Sequence, residues 1–462
     1  MADIYGILNV AKGALLAQQR AINVTSHNIA NVNTPGYSRQ RVNMETNIPM
    51  SFTPGQIGTG VQAAGIERVY DRFLGLQINA ETQNLGKWEA QKGGLEKVEI
   101  LLNETSEHGL NQAMNEFWNA WHDLVNNPAG QTERMILSAK SDTLAKTFNN
   151  IYSSLKQIQT DLDTNIKGSV SEINRIADQI AALNQQIANI EISGQNANDL
   201  RDKRDLLLNE LSTMIDTTTS EDSDGKVTVL VNGGRPLVQN ETSWHLSTET
   251  NSSGLQNIVW LDGAGNSVNI TDTISGGRMK GWLEVRDVVV PGYLNSLDDL
   301  ANEIRLRVNN LHSSSFGLDG STGNTFFIGI SASDISVNPS ILADVNLIAA
   351  AGAAAGIPGD NSIAIAIANL QNEFTMSGNT TTFSDFYNSM VSDLGNAVQE
   401  ASINYDHQSE VVNHLNNYRE SVSGVSIEEE MVNLIRFQHA YEAAAKLIST
   451  ADELLETLIS MV

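Results

Sequence analysis

Apolar residues recur every seven positions at both ends of the chain. Near the start Leu8, Leu15, Ile22 and Ile29 fall seven apart, with Ile4, Ala11 and Ala14 beside them. At the other end Leu434, Tyr441, Ile448, Leu455 and Val462 repeat the spacing, with Met431, Ala445 and Ile459 alongside. A strict period of seven makes a narrow stripe suited to a partner helix. The pattern predicts terminal helices that come together and bury their stripes against copies of the same chain, as in a polymer subunit; the competing reading is two amphipathic helices inside one globular domain. Isolated helices of this kind are marginal, so Ile4–Ile29 and Met431–Val462 are expected to order on assembly. Gln18 and Asp452 interrupt the stripes, either fixing register or leaving a solvated gap.

Between these ends the periodicity is mostly helical. A first helix over 3–31, with Asp3 as N-cap, would be about 40 Å long. It runs into Asn31-Val32-Asn33-Thr34-Pro35-Gly36-Tyr37, where Pro35 followed by Gly36 predicts a type II turn. Residues 38–67 are punctuated by Pro49, Pro54, Gly55, Gly58 and Gly60 and read as extended chain with short strands. Helices follow at 68–105, 109–127 and 198–216, with a very long one at 131–192. Its stripe, from Leu155 through Ile166 and Val170 to Ile190, contains one 4-4 step near Gly168, like a coiled-coil stutter. At 217 the character changes. Thr-rich sequence leads into strands at 226–231, 235–239, 243–246, 257–261 and 267–270, separated by Asp224-Gly225, Gly233-Gly234 and Asp262-Gly263 turns. Helix resumes over 279–312 with a break or kink at Pro291, then loop-rich chain over 313–382, then helices at 383–422 and 426–460. The last helix opens on a capping box, Ser426 to Glu429, with Glu428, Glu429 and Glu430 in its first turn. The expected fold is mainly α with a small antiparallel β module in nested, discontinuous domains. Residues 1–67 and 423–462 form a terminal coiled-coil domain, 68–216 and 278–422 a helical domain, and 217–277 a β-rich outer module.

Charge sharpens this picture. The 462 residues carry 54 acidic against 28 basic side chains, a net of −26, which argues against nucleic acid and against premature self-association. The absence of cysteine excludes disulfides, thiolate metal sites and cysteine nucleophiles. No stretch approaches the ~18 apolar residues of a membrane span, and no basic-then-apolar leader opens the sequence, so export without leader cleavage is expected.

Candidate chemistry is sparse. The histidines, His27, His108, His122, His245, His312, His407, His414 and His439, form no H-E-x-x-H frame. Asp222-x-Asp224-Gly225 lacks the ligands of a calcium loop and reads as a β-turn. Trp118 and Trp121, with Phe117 and Leu124, read as helix packing. No phosphate-binding or nucleophile-elbow motif has a supporting context. No catalytic, cofactor-binding or metal-ligating residue is therefore expected.

Ser26-His27-Asn28-Ile29-Ala30-Asn31-Val32-Asn33-Thr34-Pro35-Gly36-Tyr37-Ser38-Arg39 resembles the N-terminal signature of the bacterial flagellar rod, hook and hook-associated axial proteins. Asn433-Leu434-Ile435-Arg436-Phe437-Gln438-His439-Ala440-Tyr441 resembles their terminal helix. Ser38-Arg39, the long helices after 68, Ser423-Gly424-Val425-Ser426 and Gly317-Leu318-Asp319-Gly320 with Phe326-Phe327 are similar to the hook-associated members. The resemblance implies a secreted, extracellular structural subunit at the hook–filament junction. Its partners would be its own copies, the hook protein, a second junction protein (hook-associated protein 3) and an export chaperone on the C-terminal helix. The turn residues Asn31, Asn33, Thr34, Pro35, Gly36, Tyr37 and Arg39, with Arg41, would then help set contacts with the hook. A hook or distal-rod protein is the alternative within this class, and the long helix at 131–192 argues against it. A secreted enzyme or an adhesin displayed on the flagellum is the alternative outside it. The chain is shorter than many such proteins, so any further outer domain is expected to be reduced or missing.

Overall fold

The computed structural model describes residues 2–52, 55–102, 109–231 and 233–461, with backbone only for 2–4 and 52. The seam residue Val462, the side chain of Ile4, His108 and the predicted helix end at 103–105 lie outside the described residues.

The chain opens with helix α1 (Ala2–Ala30). Asp3 lies inside it rather than capping it. A long hairpin follows. Strands β1 (Gln40–Thr46) and β4 (Val61–Arg68) pair antiparallel from Gln40 opposite Arg68 to Thr46 opposite Val61, and β2 (Met50–Phe52) with β3 (Gly55–Ile57) extends the tip. The hairpin lies along α1, and the closing helix α11 (Ile427–Ser460) lies along another side of α1. Close approach to the hairpin needs Gly13, where a Cβ would sit 2.8 Å from the Val61 carbonyl oxygen.

The body is built on helices α2 (Arg72–Leu102), α3 (Leu110–Asn126), α4 (Gln131–Glu191) and α5 (Asn198–Met214). At 1.5 Å per residue α4 is about 90 Å long and passes through two hydrophobic cores. Leu137 to Leu162 belong to the first, with α3, part of α2 and the chain beyond 285; Ile166 to Ala181 belong to the second. The 4-4 step therefore falls where the stripe leaves one core and turns toward the other. Aromatic packing dominates the first core: Phe117, Trp118, Trp121, Phe326, Phe327 and Phe383 lie in mutual contact.

The second core is roofed by two antiparallel sheets. One orders β5 (Thr217–Glu221), β6 (Val227–Val231), β7 (Arg235–Gln239) and β8 (Thr242–Ser243); the other places β10 (Gln256–Leu261) between β9 (Leu246–Thr250) and β11 (Ser267–Asn269). Their inward residues, Val227, Val229, Val231, Leu237 and Ile258 among them, share one cluster with α4, α5 and α6 (Gly277–Glu284). The strands thus cover helices and share their core. The expected strand at 243–246 divides, with Trp244 and His245 between β8 and β9. A π-turn over Val285–Val289 joins α6 to α7 (Val290–Ser313), just before Pro291, whose ring and missing N–H cannot continue a regular helix. Buried Arg286 in that turn donates to Asp163 on α4 at 2.6 Å and to the Gln256 carbonyl at 2.7 Å, binding helix, turn and sheet.

Short elements fill 313–382: strands β12 (Phe316–Gly317), β13 (Phe327–Ile328), β14 (Ser336–Val337) and β15 (Ala349–Ala351), with helices α8 (Pro339–Ala343) and α9 (Ser362–Asn369). Buried Arg134 of α4 holds this stretch by donating to the Ile348 carbonyl at 2.6 Å and the Pro128 carbonyl at 2.7 Å. Helix α10 (Phe383–Ser423) then returns along α2 to the start of α11.

Candidate functional site

The signature segment folds as a hydrogen-bonded root for the terminal helices. The Tyr37 N–H donates to the Thr34 carbonyl at 3.2 Å and Gly36 has φ +78°, the conformation expected of the third residue in a type II turn. The Asn31 amide donates to the His27 carbonyl at 3.0 Å and its Oδ1 accepts from Thr34 Oγ1 at 3.1 Å, which closes the end of α1. Asn33, Thr34 and Pro35 are exposed.

Asn28 is the centre of the root. It is 1% exposed, and its amide satisfies four partners. Nδ2 donates to the Gln40 carbonyl and to Glu430 Oε2, both at 2.9 Å; Oδ1 accepts from Tyr37 Oη at 2.8 Å and from the Gln40 N–H at 2.9 Å. One side chain thereby joins α1, the turn, β1 and α11. Burial first, then the carboxylates of Asp199, Asp202 and Glu430, push the Tyr37 hydroxyl well above its ordinary pKa, so it stays a donor.

Arg39 is committed inside the chain. Its Nη1 donates to Glu429 at 2.8 Å, and its backbone N–H donates to the Ser423 carbonyl at 2.8 Å. Only Arg41, with a side chain 72% exposed and 4.0 Å from Glu67, is free to face outward as the sequence suggested for both arginines.

The root rests on three aspartates of α5. Asp199 accepts from Gln40 Nε2 at 2.6 Å, Asp202 accepts from the Ser38 N–H at 2.8 Å, and Arg68 bridges Asp202 and Asp205 at 2.9 and 2.6 Å. Burial raises the Asp202 carboxyl above the usual carboxylate range, against the pull of the Ser38 and Arg68 donors. These aspartates were not legible in the sequence because they lie 134 to 164 positions from their partners, on a helix whose periodicity already accounts for their place. Glu429 and Glu430 were visible only as first-turn acids; Ser426 does accept from the Glu429 N–H as a cap, but both carboxylates also serve the root.

Along the helix pair, the buried apolar residues are small: Ala11, Ala17, Ala21, Val24, Ala444 and Ala451. Leu8, Leu15, Ile22, Ile29, Leu434, Ala445, Ile448 and Leu455 are half-buried. Tyr441, Met431 and Ile459 are exposed, at 38%, 45% and 75%. The predicted stripes thus mark the right helices, while alanines make the tightest positions. The seven-residue step from Ala444 to Ala451 was the available signal. Gln18 Oε1 is buried without a hydrogen-bond partner, whereas Asp452 is exposed to solvent.

One group of Asp, Ser and His side chains comes together in a way that differs from a triad. Asp178 accepts from Ser243 and approaches His245 at 2.9 Å, so hydroxyl and imidazole each bind the carboxylate rather than each other. Among the described residues no cluster of three or more His, Asp or Glu is grouped to hold a metal ion, and no helix is long and apolar enough to cross a membrane.

A rooted pair of terminal helices at one end of a long helical body defines an axial-type subunit, and the comparisons agree. Residues 8–37 match the family described as flagella basal body rod protein, and residues 419–461 match that described as flagellar basal body rod FlgEFG protein C-terminal. Residues 95–327 match the flagellar hook-associated protein FlgK helical domain. The chain is 32% identical to flagellar hook-associated protein 1 of Bacillus subtilis (strain 168) over 100% of this chain and 99% of that one. It is 27% identical to flagellar hook-associated protein 1 of Escherichia coli (strain K12) over 98% and 99%. The flagellar hook junction protein FlgK from Burkholderia pseudomallei shares the fold, with a TM-score of 0.66 at 15% identity, covering 75% of this chain and 100% of that one. The chain belongs to the flagellar hook-associated protein 1 family, and its function is that of a structural subunit at the hook–filament junction.

Proposed function

We propose that the chain polymerises at the distal end of the hook with α1 and α11 forming the inner wall of a tube segment and the 217–277 strands turned outward. One observation carries this. The pair buries small residues within itself and leaves large apolar side chains bare: Val432 is 67% exposed, and Leu16, Ile435, Leu447 and Leu454 are each 49% exposed. Large apolar side chains left exposed along a helix pair point to an interaction face. Each such side chain contributes about 1.5–3 kcal/mol when fully buried, before association costs. Neighbouring copies are the occupants that the repeated spacing fits.

The remaining partners follow from family membership. The hook protein lies below, hook-associated protein 3 lies above, and an export chaperone covers the C-terminal helix before the subunit is added. The role is structural, with no catalytic step, and the net charge of −26 keeps exported monomers apart until docking.

The test is Ile435→Asp and Leu447→Asp, assayed for addition to purified hooks. Both should abolish addition with a melting temperature within about 2 °C of the parent, since neither site is buried in the single chain. Normal addition by both variants would remove this face from assembly.

A further inference from the structure

The terminal unit, α1 with its hairpin and α11, joins the body in an unusual way. Two covalent links cross the joint, Val69–Asp71 between β4 and α2 and Gly424–Ser426 between α10 and α11. They lie side by side, because the Arg39 backbone bridges them: its N–H donates to the Ser423 carbonyl at 2.8 Å and its carbonyl accepts from the Val69 N–H at 2.7 Å. Neither hydrophobic core cluster includes a residue of 2–68 or 424–461. The joint is instead polar and buried. Ser38, Gln40, Asn198, Asp202 and Ser423 are each 4–8% exposed, at 6%, 8%, 7%, 6% and 4%.

Two short parallel links with a polar contact face are the construction of a hinge. A few residues at element ends can absorb a rotation. Opening an apolar joint would expose core, whereas opening this one exchanges protein hydrogen bonds for water, each worth about 0.5–1.5 kcal/mol net. A cleft of about 90 Å³ lies beside the joint, lined by Tyr37, Ser38, Arg68, Asp205, Leu206 and Glu420 among others, and leaves room for movement.

We infer that Asp202 and Arg68 form a latch that sets the angle of the terminal unit on the body. Asp202 holds both edges of the hairpin's base at once, through the Ser38 N–H at 2.8 Å and through Arg68 at 2.9 Å. Arg68 immediately precedes the first link, is anchored a second time by Asp205 at 2.6 Å, and packs over the Tyr70 ring at 4.0 Å. With the latch closed the unit has one orientation; with it open the unit swings as an arm on Val69–Asp71 and Gly424–Ser426. Both are positioning residues, and the inference holds whichever neighbours the subunit meets.

The chain lacks cysteine, so paired spin labels can be placed cleanly. Labels at Lys167→Cys on α4 and Gln438→Cys, two turns beyond Glu430 on α11, span the joint; Lys167→Cys with Glu400→Cys stays within the body. All three sites are exposed. The full chain should give one narrow distance distribution across the joint. Asp202→Ala and Arg68→Ala should each at least double its width, the double variant should add little more, and the body pair should stay narrow throughout. A distribution already broad in the parent, unchanged in both variants, or broadened equally within the body would each overturn the latch.

Discussion

Asn28 shows how much one side chain can settle. Its amide uses all four hydrogen-bonding sites on groups from three other segments, the turn, β1 and α11. Asn28→Ala would strand the Tyr37 hydroxyl, both Gln40 backbone groups and Glu430 in a buried place. A loss of about 2–4 kcal/mol is expected, read as faster hydrogen exchange at 28–40 and 428–432 with the body unchanged. His312 makes a different kind of statement. It is buried, bonds the Asn324 carbonyl through Nδ1 at 2.7 Å and accepts the Ala349 N–H on Nε2 at 2.9 Å, and burial lowers its pKa to about 4. The unfolded chain, near 6.5, takes up the proton first. His312 therefore favours the fold fully above about pH 6.5, and that contribution is lost as pH falls toward 4. At pH 5 the deficit is about 2 kcal/mol, so unfolding free energies from urea titrations at pH 7 and 5 should differ by that much less in His312→Gln than in the parent. The turn residues were legible because Pro35-Gly36 dictates a local conformation. The weight carried by Asn28, and the aspartates that support it, depends on partners distant in sequence.

At the scale of elements, periodicity was the reliable guide. The helices were placed to within a few residues because most keep an apolar stripe at helical spacing, and the step near Gly168, read as a stutter, falls where the stripe passes from one core to the other. Strands were harder. Thr217–Glu221 has no apolar alternation, yet its β-branched threonines pair along β6 at the rim of the sheet. Around Trp244 and His245 the chain changes sheets, which a window of apolar residues cannot reveal. Along α1 and α11 the large residues drew attention to the stripe, while the close contacts fell to alanines. Small side chains let helices approach, and the bulk beside them then stands out from the pair.

For the whole molecule, the two ends of the chain pack together, α1 against α11. Whatever holds that unit to the body must cross at two links, and here it does so through charge and amide groups. The body holds both apolar cores, threaded on α4. The terminal pair is the reverse: small residues inside, large apolar ones outside, and a polar root. That distribution suits a part whose burial is completed by sister molecules. Hydrogen exchange compared between dilute monomer and subunits assembled on hooks tests this most directly. The account predicts weak protection toward the free ends, 5–15 and 445–461, in the monomer, and strong protection of the same amides after assembly. Termini protected as well as α4 in the lone chain, and no better after assembly, would contradict it.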